Sequence, residues 1–336
     1  MAKTDRLETQ KKPGIFYALT DEGIELPVID ITHDTFAVSL TETDRDELLL
    51  QFLKEQEPLL QMNPWIRNAL LRVVLRGSIL AKAIRQSRRS YLSGLGTYLL
   101  KLGPGHMGAA YAKPIDIRIA ASLPALGARI RLQDVAHLLA DTLRPMLDAQ
   151  PGARVHFIDI AGGPAIDALN AAILVRSALS GHSVEIRVLD FDAAGPSFGK
   201  RALEALRAAD APLHGVDISL KHQFYDWNEA KTLRDRLGDL DGIAIGSSEG
   251  GLFEYGSDDI ILANLGALRD LTPKNFAIAG SVTRNDEPAK VMLATGNAAL
   301  QPRGIDAFRA LVARAGWKVT TVIERFFSDH VLLRKD

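Results

Sequence analysis

The chain of 336 residues has no cysteine, which excludes disulfides, thiolate metal sites and cysteine nucleophiles at once. Its eight histidines include no pair four residues apart and no H-E-x-x-H, so the sequence predicts no metal. Long apolar runs are missing too. No uncharged apolar stretch is long enough to span a bilayer, and residues 1–13 are polar and charged. Neither a membrane helix nor a signal peptide is expected, and the chain reads as cytoplasmic. Excess charge of one sign is absent: 40 Lys and Arg stand against 41 Asp and Glu, and a neutral molecule has no global attraction to nucleic acid or to an anionic membrane. Aromatic residues, at 6%, offer few platforms for stacking bases.

What is present is an apolar fraction of 47% and a charged fraction of 24%, the balance of a soluble globular protein. The length accommodates two domains, and the rhythm of the chain changes near residue 150. Before it, helical spacing dominates. An irregular stretch at 13–38 contains a short alternating run at 25–31. Helices are predicted at 43–60, from the Asn63-Pro64 cap to about 86, at 91–101 and at 132–147. After Gly152, short apolar runs alternate with helical stretches, the mark of a parallel sheet with crossover helices. Strands are predicted at 155–159, 184–190, 216–225, 242–246 and 275–281, with helices at 164–179, 196–208, 228–237 and 258–268. A helix at 304–315 then leads into an antiparallel hairpin of 317–326 and 330–334.

Five strand–helix units closed by a helix and a hairpin resemble the class I S-adenosylmethionine-dependent methyltransferases, over 154–335. The resemblance implies an α/β, Rossmann-like seven-stranded sheet with an inserted antiparallel strand, carried by residues 151–336. Residues 1–150 then form a mainly helical lid or substrate domain, and S-adenosylmethionine is the implied cofactor.

Three strand tips carry the cofactor argument. The first strand runs into Asp159-Ile160-Ala161-Gly162-Gly163-Pro164, where glycine lets a backbone turning from strand into helix approach a ligand closely. The family pattern is acid, any residue, Gly, any residue, Gly. Ala161 therefore stands where the first glycine is expected, and the G-x-G-x-x-G of dinucleotide sites is absent from this loop. The second strand ends at Asp190-Phe191-Asp192. Asp190 is placed to accept hydrogen bonds from both ribose hydroxyls, and Phe191 to lie against the adenine. The third ends at Tyr225-Asp226-Trp227. There the resemblance implies that Asp226 contacts the adenine amino group while Tyr225 or Trp227 packs on the ring. A plain structural turn, solvated loop acids and a core aromatic are the competing explanations at these tips.

The fourth strand ends at Ser247-Ser248-Glu249-Gly250-Gly251, with Glu254 just beyond. In the resembled family this tip faces the sulfonium, which makes Ser248, Glu249 and Glu254 the catalytic candidates and Ser247 a cofactor contact. A carboxylate there neutralises the sulfonium, binds an amine or acts as a general base; the competing explanation is a flexible glycine loop with exposed acids. His156 reads as a core residue inside its strand, and His182 and His214 lie in connections.

Between Glu57 and Asp116 there is no acid, whereas Arg67, Arg72, Arg76, Lys82, Arg85, Arg88, Arg89, Lys101 and Lys113 are basic. That asymmetry marks either a surface for an anionic partner or arginine stems packed on the acid-rich 41–57 segment. By analogy with small-molecule methyltransferases, Tyr91, Tyr98, His106 and Arg118 are lid residues. The expected activity is methyl transfer to a small acceptor by in-line displacement. One alternative is cyclisation of the azetidine-2-carboxylate synthase type, with release of methylthioadenosine. Another is a scaffold with a degenerate cofactor site, which Ala161 would suit. The expected partner is a small-molecule substrate, with a carrier protein or a second copy of the chain as further options; neither nucleic acid nor membrane is expected.

Overall fold

A computed structural model describes residues 11–63, 65–66, 77–80, 93–109, 111–296 and 299–336. The chain opens with an antiparallel pair, β1 (Tyr17–Leu19) and β2 (Glu25–Pro27). Helix α1 (Glu42–Gln61) starts on a capping box, in which Thr41 accepts from the Asp44 N–H at 3.1 Å and the Asp44 carboxylate accepts from the Thr41 N–H at 2.9 Å. These bonds satisfy donors that every helix start leaves open. The helix expected from Asn63 to about 86 lies largely outside the described residues. Helix α2 (Gly94–Lys101), capped by Ser93, is followed by α3 (Pro114–Ala120) and α4 (Leu123–Ala149). Helix α4 reaches back to Leu123 instead of starting at 132, because Pro124 sits in its first turn, where a missing N–H costs nothing.

The sheet follows the predicted order. Its members are β3 (Val155–Ile160), β4 (Ser183–Asp190), β5 (Asp217–Phe224), β6 (Ile243–Ser248), β7 (Ala277–Thr283), β8 (Trp317–Glu324) and β9 (Ser328–Lys335). Across the sheet they run β5-β4-β3-β6-β7-β9-β8, parallel as far as β7, with β9 inserted antiparallel between β7 and β8. This is the Rossmann-like seven-stranded arrangement of the class I methyltransferase type. Crossover helices are α5 (Ile166–Leu174), α6 (Ala194–Leu206), α7 (Leu233–Leu237), the single turn α8 (Leu252–Tyr255) and α9 (Asp258–Leu271). The segment expected as one helix at 228–237 is split: a 3₁₀ stretch, Trp227–Thr232, bends at Glu229 before α7. Helix α10 (Glu287–Thr295) precedes α11 (Ile305–Ala313) and is an addition to the predicted elements. The closing hairpin turns at 325–327 and not at Ser328-Asp329, because Phe327 packs at 5.1 Å on Phe52 of α1.

Successive strand side chains point to opposite faces, and here both faces are covered. Val155, Phe157 and Ile245 join Leu26, Leu102, Leu139 and Leu332 in one apolar cluster, so segments on both sides of residue 150 share a core. Ile158, Ile160 and Ala244 face the other way, toward Leu252, Leu265 and Phe308. Helix α4 lies against α5 and over β6, β7 and β9. No helix among the described residues is long and apolar enough to cross a membrane.

Candidate active site

The carboxyl ends of β5, β4, β3 and β6 open into a cleft of about 500 Å³ whose outer wall is α2, through Ser93, Gly94, Thr97, Tyr98 and Lys101. Clefts beyond strand carboxyl ends are where open α/β sheets bind ligands. At its centre is the loop from β3 to α5. Ala161, Gly163 and Ala165 are all left-handed, with φ of 56°, 52° and 54°. Ala161 thus adopts the conformation that a glycine would take at this point. The departure from the family pattern costs about 1–2 kcal/mol of backbone strain and leaves the path of the chain intact.

Gly162 is glycine for a reason other than ligand approach. A Cβ on it would collide with the carboxylate of Asp159, which lies beneath the loop. Asp159 is fully buried, is not part of the cleft wall, and accepts from Ser247 Oγ at 3.1 Å. Burial first, and the neighbouring Asp167 second, push its carboxyl well above the usual range; burial and Glu249 also raise Asp167. Two such acids side by side in the core retain a proton between them. Above the loop, the backbone of α2 sits directly on it: a Cβ on Gly94 would come within 2.5 Å of Gly163 Cα.

Asp190 holds the loop from the adjacent tip. Its Oδ2 accepts from the Gly163 N–H and its Oδ1 from the Asp192 N–H, each at 2.8 Å, and burial raises its pKa in spite of these donors. Phe191 is 65% exposed and packs at 5.0 Å on Phe224. Tyr225 and Trp227 are buried in the wall, the Tyr225 hydroxyl donating to Asn264 Oδ1 at 2.5 Å. Asp226 lines the cleft and accepts from the N–H of Asn228 at 2.9 Å, so it also caps its own turn.

At the β6 end the picture departs from expectation. Ser247 and Ser248 point to opposite sides of the sheet and both are buried: Ser248 Oγ donates to the Ile160 carbonyl and accepts from the Leu252 N–H. Neither side chain lines the cleft, because both belong to the strand and not to the loop beyond it. Glu249 does line it, but as no exposed loop acid. Its carboxylate is gripped by Lys101 of α2 and, at 2.5 Å, by Arg131 of α4. Arg131 also binds Glu254, at 3.2 Å. Burial alone would raise Glu249, but the two cations outweigh it and hold the carboxyl below its ordinary range, which makes it a poor proton acceptor at neutral pH. Glu254 faces away from the cleft, into a second cavity of about 640 Å³ that shares Thr97, Gly250 and Tyr255 with the first.

Sequence reasoning missed Lys101 as a site residue, grouping it with surface cations, and missed Arg131 altogether. Their partner Glu249 is 148 and 118 residues away, and no local pattern signals such a pairing. Of the other lid candidates, Tyr98 reaches the cleft wall while its hydroxyl donates to the Pro27 carbonyl. His106 stacks on Phe36 at 4.0 Å, away from the cleft. Arg118 lines the second cavity. Tyr91 and the basic residues Arg67, Arg72, Arg76, Lys82, Arg85, Arg88 and Arg89 lie outside the described residues. His156 is buried, with Nε2 3.0 Å from the Asp241 carbonyl.

No family model and no curated protein matches the chain. Among solved structures it is similar to a possible exported protein from Bordetella parapertussis, at 18% identity and a TM-score of 0.55, over 88% of this chain and 99% of that one. It is also similar to the mitomycin 7-O-methyltransferase MmcR, at 15% identity and a TM-score of 0.41, over 84% of this chain and 71% of that one. PigF with SAH matches at 16% identity and a TM-score of 0.41, over 82% and 75%. At 18% identity the likeness to the first of these is one of fold.

Proposed function

We propose that the chain is an S-adenosylmethionine-dependent enzyme that transfers the methyl group to a small-molecule acceptor. One observation carries the reading: the order of chemistry along the cleft. Neighbouring strands lie about 4.8 Å apart, so the tips of β5, β4, β3 and β6 offer a track about 14 Å long. Along it come exposed and buried aromatics, then a carboxylate, then a close-packed backbone loop, then an ion pair. That is the order of an adenine, a ribose, a sulfur linkage and a charged amino acid.

In this reading Phe191 and Tyr225 flank the purine, Asp226 reaches its amino group, and Asp190 uses its remaining lone pairs for the ribose hydroxyls. The Ala161 to Gly163 backbone lines the sulfur region. Asp159 and Ser247 support that loop from below without touching the ligand. Lys101 and Glu249 present one charge of each sign, the complement of a carboxylate and an ammonium. When bound, S-adenosylmethionine supplies an electrophilic methyl group on a sulfonium. Arg131 keeps Glu249 ionised, and Glu249 in turn keeps the ammonium protonated and therefore non-nucleophilic. This, with the second cavity beside the cleft, favours an external acceptor over internal cyclisation.

Calorimetric titration of the protein with S-adenosylhomocysteine tests the reading; no binding at millimolar ligand would end it. Mass spectrometry after incubation with S-adenosylmethionine then separates the outcomes. S-Adenosylhomocysteine is the product expected where a methyl acceptor is present, and methylthioadenosine would shift the reading to cyclisation or chain transfer.

A further inference from the structure

Charge around the cleft is uneven. Among the described residues Lys101 is the one cation on its wall, and Glu249 holds it. Arg131 behind it is shared by Glu249 and Glu254. Asp159 at the end of β3, Asp167 in the first turn of α5 and Asp190 at the end of β4 form no ion pair among the described residues. Asp190 is answered by the N–H groups of Gly163 and Asp192, with His222 nearby.

The other two acids are 0% and 1% exposed, and Oδ2 of each accepts no hydrogen bond. Ser247 Oγ serves Asp159 Oδ1 at 3.1 Å. The charged groups facing the pair are Asp190 on the Asp159 side, and Glu249 with Lys101 on the Asp167 side. Two ionised carboxylates without a cation are costly in such a place, and a proton held between them removes one charge and supplies the missing donor. Only backbone separates them from the cleft. Gly162 lines the cleft, and the side of its Cα that would carry a Cβ faces the Asp159 carboxylate. A cation lying on this loop is therefore one peptide layer above the buried pair, where charge is poorly screened.

Resting on the methyltransferase reading, we propose that Asp159 and Asp167 tell the cofactor from its demethylated form by charge: the sulfonium drives the shared proton off the pair, and the neutral thioether lets it return. The proton passes to solvent when S-adenosylmethionine binds, and a sulfonium over an ionised pair replaces a neutral acid. Once the methyl group has left, the sulfur carries no charge. The pair then takes a proton back from solvent, and S-adenosylhomocysteine is held less firmly. Both acids act through the loop without touching the ligand, as positioning residues.

Calorimetric titration of the protein with each ligand tests this, from pH 5 to pH 7 and in paired buffers of different ionisation enthalpy, which counts the protons exchanged. The range lies below that in which the ligands' ammonium groups titrate. S-adenosylmethionine should release up to one more proton than S-adenosylhomocysteine. The affinity ratio in its favour should climb with pH, by up to about tenfold per unit for one proton. In Asp159→Asn, and separately in Asp167→Asn, an amide N–H takes the place of the shared proton and the remaining acid stays ionised, so both effects should vanish. Equal proton counts for the two ligands in the wild type overturn the proposal, as does an extra release that persists in both variants. If neither ligand binds the wild type, the underlying methyltransferase reading fails instead.

Discussion

The N–H of Gly163 donates to Oδ2 of Asp190 at 2.8 Å, joining the acid at the tip of β4 to the loop at the tip of β3. Asp190 thus has two tasks, shaping the loop and, in the proposed function, holding the ribose. Asp190→Ala should weaken S-adenosylhomocysteine binding by about 1–3 kcal/mol, the scale of lost hydrogen bonds to a charged group. Asp190→Asn keeps an acceptor for Gly163 and should lose less. Calorimetry giving equal affinities for all three proteins would take Asp190 out of the site.

Gly162→Ala should act on the fold first. The added Cβ collides with the buried Asp159 carboxylate, and overpacking a core position costs about 1–3 kcal/mol. A lower thermal midpoint is expected, with part of the loss restored in the double variant Gly162→Ala/Asp159→Ala, where the obstacle is gone. If the single variant keeps the wild-type midpoint, the loop is looser than described.

Lys101→Met removes one charge of the pair at the β6 end. S-adenosylhomocysteine should bind at least tenfold more weakly, whereas 5′-methylthioadenosine, which has no amino acid end, should bind as before. Glu249→Gln should show the same selectivity, through affinity and not through a lost base. An equal drop for both ligands would mean that the ion pair only holds the fold.

The acids Asp159 and Asp167 have raised pKa values, chiefly from burial. The native state then keeps a proton over a range in which the unfolded chain, titrating near pH ~3.9, has lost it. Stability must fall as pH rises through that window, by up to about 1.4 kcal/mol per pH unit for one proton. Asp159→Asn mimics the protonated acid without titrating. Its thermal midpoint relative to wild type should climb from pH 4 to pH 8; parallel curves would show that the pair titrates alike in both states.

The sheet was legible because its strands are short apolar runs such as Val155 to Ile158 and Val184 to Leu189, separated by glycine and helical segments. Helix α10 was not legible, with Pro288 near its start and Gly296 at its end framing nine residues of weak periodicity. Within the site, residues on loops next to strand ends could be named in advance, since position along the strand decides their location. Ser247 and Ser248 could not be assigned, because in a sheet buried on both faces the alternation leaves no mark in the sequence. The partners of Glu249 come from α2 and α4, and only the packing of those helices brings them there.

Ala161, Gly163 and Ala165 give the central loop a fixed sequence of left-handed turns, and Gly94 and Gly195 press on Gly163 from either side. Backbone resting on backbone leaves no side chain that can swing aside. A loop held in this way has little disorder to surrender when a ligand arrives, so association at this point is limited by encounter and not by rearrangement. In the proposed function its selectivity works by refusal: a ligand slightly too broad at the sulfur is turned away, because the wall it meets cannot yield without moving two helices.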